Sequence, residues 1–224
     1  MPRKAIRINA APPSDEVAAQ YLDFWVQGDL YRHPERFPPL TSEQFFGNAR
    51  PLALEVGPGT AEWLISMAAQ QPGWNFLGID VYPKALYKAV ASAHEAALTN
   101  IRFIRAPIQF TYPLFQPESL AALYLHYPDP NLRNRDQHKI VNPAFFDVAA
   151  RALVLGGTLS LITDHETLFF EELLPLVEAD PRWARQHEAR YLIGFEPEVK
   201  SRYQKMWEKH DVPPLRLLLA RRRS

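Results

Sequence analysis

The sequence predicts an α/β fold in which a mainly parallel sheet is covered by helices on both faces. Two observations carry this. From residue 52 onward short apolar runs alternate with longer helical stretches, the pattern of strand–helix–strand units. Glycine and proline punctuate the boundaries, where turns and helix starts need them.

Taken in order, residues 1–14 read as an extended tail. A helix is expected from Ser14 to about Gln27, with Phe24 and Trp25 as packing anchors, followed by a proline-rich connector from His33 to Pro39. Leu52–Val56 is a strand, and Gly57-Pro58-Gly59-Thr60 turns it into a helix over Ala61–Gln70. Asn75–Val81 is the next strand, and Pro83, tolerated in a first helical turn, opens a helix to about Ala97. Strands follow at Asn100–Arg105 and Leu120–Tyr127. Pro143 opens a helix to Leu153 that stops at Gly156-Gly157. Thr158–Thr163 is a strand, Glu166 to about Ala179 a helix, Glu198–Lys209 a helix, and Leu215–Ala220 the last strand. The expected organisation is an N-terminal extension over 1–44 and one domain over 45–224.

Composition narrows the function. At 224 residues, 47% hydrophobic and 22% charged, the chain suits one well-buried domain and not a disordered one. Cysteine is absent, which excludes disulfides, thiolate nucleophiles and cysteine-bound metals and fits a cytoplasmic protein. The basic start, Met1 to Arg7, lacks the apolar core of a signal peptide, and no apolar run reaches the roughly 20 residues of a membrane span. The seven histidines show no metal-ligand spacing, so no metal is expected, and His126 reads as a strand-end packing residue. Twenty-five basic and 25 acidic residues cancel, so attraction to a polyanion has to be local. Basic clusters stand at Arg3–Arg7, Arg133–Lys139 and Arg221–Arg223. A monomer and a homodimer are both compatible with the sequence.

The carboxyl ends of the strands carry the chemistry. Glycines at 57 and 59 let the chain turn tightly and approach a ligand closely. A dinucleotide fingerprint would place a third glycine at 62, where Glu62 stands, so a pyrophosphate is disfavoured, and the Gly-Lys-Ser/Thr ending of a P-loop is missing. Asp80 ends the next strand, where an acid accepts hydrogen bonds from ribose hydroxyls. Glu55 precedes the loop. This set suits a nucleoside without a pyrophosphate, S-adenosylmethionine, with Glu55 at the methionyl portion, Gly57 and Gly59 as the cradle and Asp80 at the ribose. For Glu55 and Asp80 the competing role is a helix cap. Farther on, Asp129 lies between Pro128 and Pro130 after a buried strand, a rigid acid at the sheet edge where α/β folds place ligands.

These residues resemble the bacterial tRNA (guanine-N7) methyltransferases, over about residues 45 to 222. The likeness rests on Phe46-Gly47-Asn48, Pro51-Leu52, Leu54-Glu55-Val56-Gly57, Asn75-Phe76-Leu77-Gly78-Ile79-Asp80 and Asn100-Ile101-Arg102. Val141-Asn142-Pro143-Ala144-Phe145 and Thr163-Asp164 add to it, and Tyr127-Pro128-Asp129-Pro130, similar to the family's aromatic-Pro-Asp-Pro signature, is the most specific element. The resemblance implies a Rossmann-like class I methyltransferase with a seven-stranded sheet, S-adenosylmethionine as cofactor and a variable-loop guanine (position 46) of tRNA as substrate. It implies substrate contacts from Arg133, Asp164, Ser201, Arg202, Tyr203 and Gln204, the other readings being a solvated loop arginine for Arg133, helix N-capping for Asp164 and a plain surface helix for Ser201 to Gln204. It places Pro107 where the family's adenine-facing aspartate stands, Asn131 in place of a tryptophan, and Ser201 to Gln204 in place of Thr-x-x-Glu. These changes mark a divergent member.

Guanine N7 is an exposed lone pair, so its methylation needs alignment and no proton abstraction. Asp129 is therefore expected to accept from guanine N1 and N2 and to stabilise the developing positive charge, not to act as a base. Two other classes stay open: a non-catalytic RNA- or protein-binding module on the same fold, and a methyltransferase for small molecules.

Overall fold

The computed structural model describes residues 8–129, 139–194 and 213–223. The strands are β1 (Leu22–Phe24), β2 (Leu52–Val56), β3 (Asn75–Asp80), β4 (Ile101–Arg105), β5 (Leu120–His126), β6 (Leu153–Thr163), β7 (Trp183–Arg185), β8 (Leu192–Ile193) and β9 (Leu215–Arg221). They form one sheet in the order β1-β4-β3-β2-β5-β6-β9-β7, with β8 also paired to β9. Neighbours from β1 to β6 are parallel, and β9 runs antiparallel to β6, β7 and β8.

The sheet has nine strands among the described residues, not the seven expected. Strands β1, β7 and β8 have three, three and two residues, too short for an alternating pattern. Existing edges define them: β1 extends β4, while β7 and β8 pair with β9.

The first helix is also shorter than expected. Helix α1 (Asp15–Tyr21) starts at Ser14, whose hydroxyl accepts the Val17 N–H at 3.4 Å. The chain then straightens into β1, and Trp25 N–H bonds the Arg105 carbonyl at 3.1 Å before α2 (Gln27–Arg32) begins. Pairing with a free sheet edge has overridden helix propensity here. Trp25 is buried as expected, whereas Phe24 is exposed and lies under the Arg105 guanidinium, 4.7 Å from its ring centre.

Helices α3 (Ser42–Phe46), α4 (Glu62–Gln70), α5 (Pro83–Glu95), α6 (Ile108–Thr111) and α7 (Pro143–Ala152) complete most of the cover. Asn142 caps α7 by accepting the Phe145 N–H at 3.0 Å, with Pro143 in the first turn. Helix α8 (Glu166–Leu168) passes through a π turn at Phe169–Leu173 into α9 (Leu174–Ala179). Pro175 supplies the reason, since it lacks the N–H that would bond four residues back.

Side-chain alternation divides the core. Leu54, Val56, Leu77, Ile79, Leu123 and Leu125 pack with Phe145, Phe146 and Phe169 on one face. Ala53, Phe76, Phe103 and Ala122 pack with Leu64, Leu86 and Val90 of α4 and α5 on the other. From β2 the chain steps outward to β3 and β4, then returns to lay β5 on the other side of β2. The carboxyl ends of β2 and β5 therefore flank a topological switch point, the ligand crevice of open parallel sheets. Among the described residues no helix is long and apolar enough to cross a membrane.

Candidate active site

Two loops meet at the switch point. The first leaves β2 through Gly57, with φ 72°, and Gly59, with φ 59°. A side chain at either would meet nothing within 4 Å, so what these positions require is left-handed backbone, and the space above them is open. Gly78, opposite Glu55 in register, serves closeness instead. A Cβ there would lie 2.9 Å from both Pro58 and Phe103. Ala61 takes the left-handed conformation, φ 57°, where a side chain is disfavoured.

Asp80 ties this loop to β3. Its Oδ2 accepts the Gly59 N–H and its Oδ1 the Tyr82 N–H, each at 2.9 Å. Burial pushes the Asp80 carboxyl above its ordinary range, against the pull of the Tyr82, Gly59 and Val81 N–H groups. Asp80 caps neither adjoining helix: α4 begins after Ala61 and α5 after Tyr82, each without a side-chain cap.

Glu55 is 5% exposed. Its Oε1 lies 3.5 Å from His126 Nδ1, and its Oε2 is buried without a hydrogen-bond partner among the described residues. An unsatisfied buried carboxylate oxygen is costly and marks where a donor belongs. The Glu55 charge and burial together push the Tyr124 hydroxyl up to about 12, burial having the larger part. The sequence reading missed this role of His126. Period-two alternation places Tyr124 and His126 on one face of β5, and that signal was available.

The second loop follows β5. Tyr127 N–H bonds the Ile162 carbonyl at 2.7 Å, and Tyr127 itself is left-handed at φ 50°. A residue before proline normally sits in the extended region, so the aromatic preceding the buried Pro128 is strained, a state that neighbouring structure has to enforce. Asp129 is exposed beyond it.

Pro107 precedes α6 and is half-buried, with no carboxylate in its place. Tyr112 and Phe110 pack against the core, and Phe115 is inside it. Asp164 follows β6, but the cap of α8 is His165, whose Nδ1 accepts the Leu168 N–H at 3.2 Å. The capping role weighed for Asp164 thus belongs to its neighbour. Arg133, Asn131, Ser201, Arg202, Tyr203 and Gln204 lie outside the described residues. A cleft of about 410 Å³ between α7 and α9, lined by Lys139, Asn142, Glu171 and Glu172 among others, contains none of the expected site residues. Among the described residues no group of three histidines or carboxylates could hold a metal ion.

A glycine loop tied to an acid at the end of β3, beside a switch point, defines a methyltransferase of the class I α/β fold. The crystal structure of the 16S rRNA methyltransferase KamB shares that fold, with a TM-score of 0.59 at 19% identity over 81% of this chain and 92% of that one. The family described as "Putative methyltransferase" matches residues 49–216. The tRNA (guanine-N(7)-)-methyltransferase of Rubrobacter xylanophilus is 44% identical over 220 residues, 98% of each chain. That of Chloroflexus aurantiacus is 43% identical over 180 residues, 79% of this chain and 80% of the relative. The chain belongs to the tRNA (guanine-N7)-methyltransferase family.

Proposed function

We propose that this protein transfers a methyl group from S-adenosylmethionine to N7 of a variable-loop guanine (position 46) in tRNA. The observation that carries the reading is the Gly59–Asp80 tie standing beside a Glu55 oxygen that has no partner among the described residues. A ribose needs acceptors and a methionyl ammonium needs an anion, and the two carboxylates supply these on either side of an open glycine turn. Val81 and Tyr82, exposed after Asp80, offer an apolar surface for adenine. Pro107 offers adenine shape without a charged acceptor.

The cofactor supplies an electrophilic methyl on a sulfonium. The N7 lone pair forms the new bond as the sulfur–methyl bond breaks, and no proton moves. The work left to the protein is orientation and electrostatics. Asp129 accepts from the guanine N1 and N2 donors and faces the charge that develops on the ring. Pro128 and the strained Tyr127 hold the carboxylate in place. Arg133, Asp164 and the segment Ser201-Arg202-Tyr203-Gln204 complete the substrate contacts. The basic clusters Arg3–Arg7, Arg133–Lys139 and Arg221–Arg223 follow the tRNA backbone, giving a salt dependence set by those few contacts.

The test is transfer from labelled S-adenosylmethionine to tRNA transcripts, with nucleoside analysis. The expected product is 7-methylguanosine, lost when the variable-loop guanine is replaced by 7-deazaguanine. Label in another nucleoside, or full label in the 7-deaza transcript, would refute the assignment.

A further inference from the structure

A buried polar row crosses the α4 face of the sheet beside the glycine loop. Glu55 on β2 and Ser160 on β6 both stand in register with Tyr124 on β5, and His126 follows Tyr124 on the same face. His126 Nδ1 is 3.5 Å from Glu55 Oε1, and its Nε2 is 3.1 Å from Ser160 Oγ. Trp63 of α4 packs edge-on against both rings, with centroids 4.5 Å from Tyr124 and 4.8 Å from His126. Arg216 stands on the same side of β9 and interacts electrostatically with Tyr124. The acid–imidazole–hydroxyl order looks like a nucleophilic array, but Ser160 is 0% exposed and no substrate can reach its oxygen.

Beside the Glu55 carboxylate, the two distances assign the proton of a neutral ring to Nδ1. Ser160 has a single hydroxyl proton. Donated to Nε2, it leaves the ring proton on Nδ1, pointed at the Glu55 carboxylate. The reverse arrangement would set the Nδ1 lone pair against an anion in a buried site. The hydroxyl thus orients the ring, and the ring orients the acid, in the way an outer partner orients a ligand-binding group.

We propose that His126 is a positioning residue for the cofactor: anchored by Ser160, it holds Oε1 of Glu55 and leaves Oε2 to receive the methionyl ammonium. This rests on the cofactor reading given above. It assigns to a strand-end histidine a part in affinity, not in the methyl-transfer step. Removing the Nδ1 donor releases Glu55 to other orientations and weakens cofactor binding, with little effect once the cofactor is bound.

Two substitutions separate positioning from packing. His126→Asn puts an amide N–H near the place of Nδ1, keeping the donor to Glu55 and dropping Ser160. His126→Gln reaches the place of Nε2, keeping Ser160 and dropping Glu55. Both lose the ring contact with Trp63, and thermal melting checks that both remain folded. By calorimetry, His126→Gln is expected to weaken S-adenosylmethionine about tenfold and His126→Asn by no more than about threefold, the weight of one charge-assisted hydrogen bond. Turnover at saturating cofactor should stay within about twofold of wild type for both. In a Glu55→Gln background the two variants should bind alike. Equal weakening by both in the otherwise unaltered chain overturns the proposal. Nitrogen-15 spectra of the His126 ring in the cofactor-free protein give an independent reading, with Nδ1 expected to carry the proton. Cofactor binding with the Nε2–H tautomer condemns the proposal alone. An Nδ1–H ring in a protein that binds no S-adenosylmethionine condemns the cofactor reading and the proposal with it.

Discussion

Gly59 donates its N–H to Oδ2 of Asp80 at 2.9 Å, joining residues 21 apart in the chain. The Tyr82 N–H takes the other oxygen at the same distance. One carboxylate thereby sets the shape of the glycine loop and the exit of β3, while retaining a lone pair for a ligand. Asp80→Ala leaves both N–H groups without that acceptor, and a stability loss of about 1–3 kcal/mol is expected in denaturant unfolding. Affinity for S-adenosylmethionine should fall at least about tenfold, since loop and ribose acceptor go together. Unchanged stability with lost affinity would mean that the carboxylate serves the ligand only.

The same carboxyl predicts a pH slope. Burial raises it above its ordinary range despite three backbone donors. Folded protein then keeps a proton that the unfolded chain, titrating near about pH 3.9, has released. Stability must fall as pH rises from that value through the raised one, because the folded state binds more protons over the interval. Asp80→Asn removes this contribution. Melting temperatures of the two proteins over that interval should diverge, and parallel curves would place the carboxyl back in its ordinary range.

Gly78 tests how closely the loop must approach the sheet. An added Cβ meets Pro58 and Phe103 at 2.9 Å and Leu64 at 3.2 Å. These belong to the glycine loop, β4 and α4, so relief for one crowds another. Gly78→Ala should cost about 1–3 kcal/mol, the usual range for overpacking. It should also weaken cofactor binding, because Pro58 sits between Gly57 and Gly59. A variant of wild-type stability and affinity would show that the loop shifts freely.

What the sequence disclosed follows from the strength of local signals. Strands β2 to β5 and β9 are apolar runs bounded by glycine, proline or polar residues, and all were legible; of β6 only Thr158–Thr163 was, because the strand begins at Leu153 and runs through Gly156-Gly157, read as a helix stop. Strands β1, β7 and β8 were not, because two or three residues carry no period and only a free edge makes them strands. At the site, Glu55, Asp80 and the glycines declared themselves by spacing. Their partners did not: the Asp80–Gly59 bond and the His126–Ser160 contact, 34 residues apart, arise from strand order. The left-handed Tyr127 ran against the rule for residues before proline.

That strain bears on the acid it precedes. Tyr127 at φ 50° costs on the order of 1–2 kcal/mol in backbone energy. Its N–H bond to Ile162 and the burial of Pro128 hold it there and fix the direction in which Asp129 leaves the sheet. Asp129→Asn keeps the shape and removes the charge, so turnover should fall about a hundredfold, the weight of one preorganised electrostatic contact. Cofactor affinity should change by less than about threefold, since the carboxylate is assigned to the guanine. Tyr127→Gly does the converse, keeping the charge and removing the constraint. Glycine adopts this φ without strain, so the loop keeps its path but gains alternatives, and turnover should fall about tenfold through lost orientation with the cofactor dissociation constant unchanged. Rapid-quench measurement of the methyl-transfer step, beside calorimetry, checks both variants. If Asp129→Asn loses affinity and turnover equally, the carboxylate holds the cofactor instead. If Tyr127→Gly turns over like wild type, the strain at Tyr127 has no part in aiming the acid.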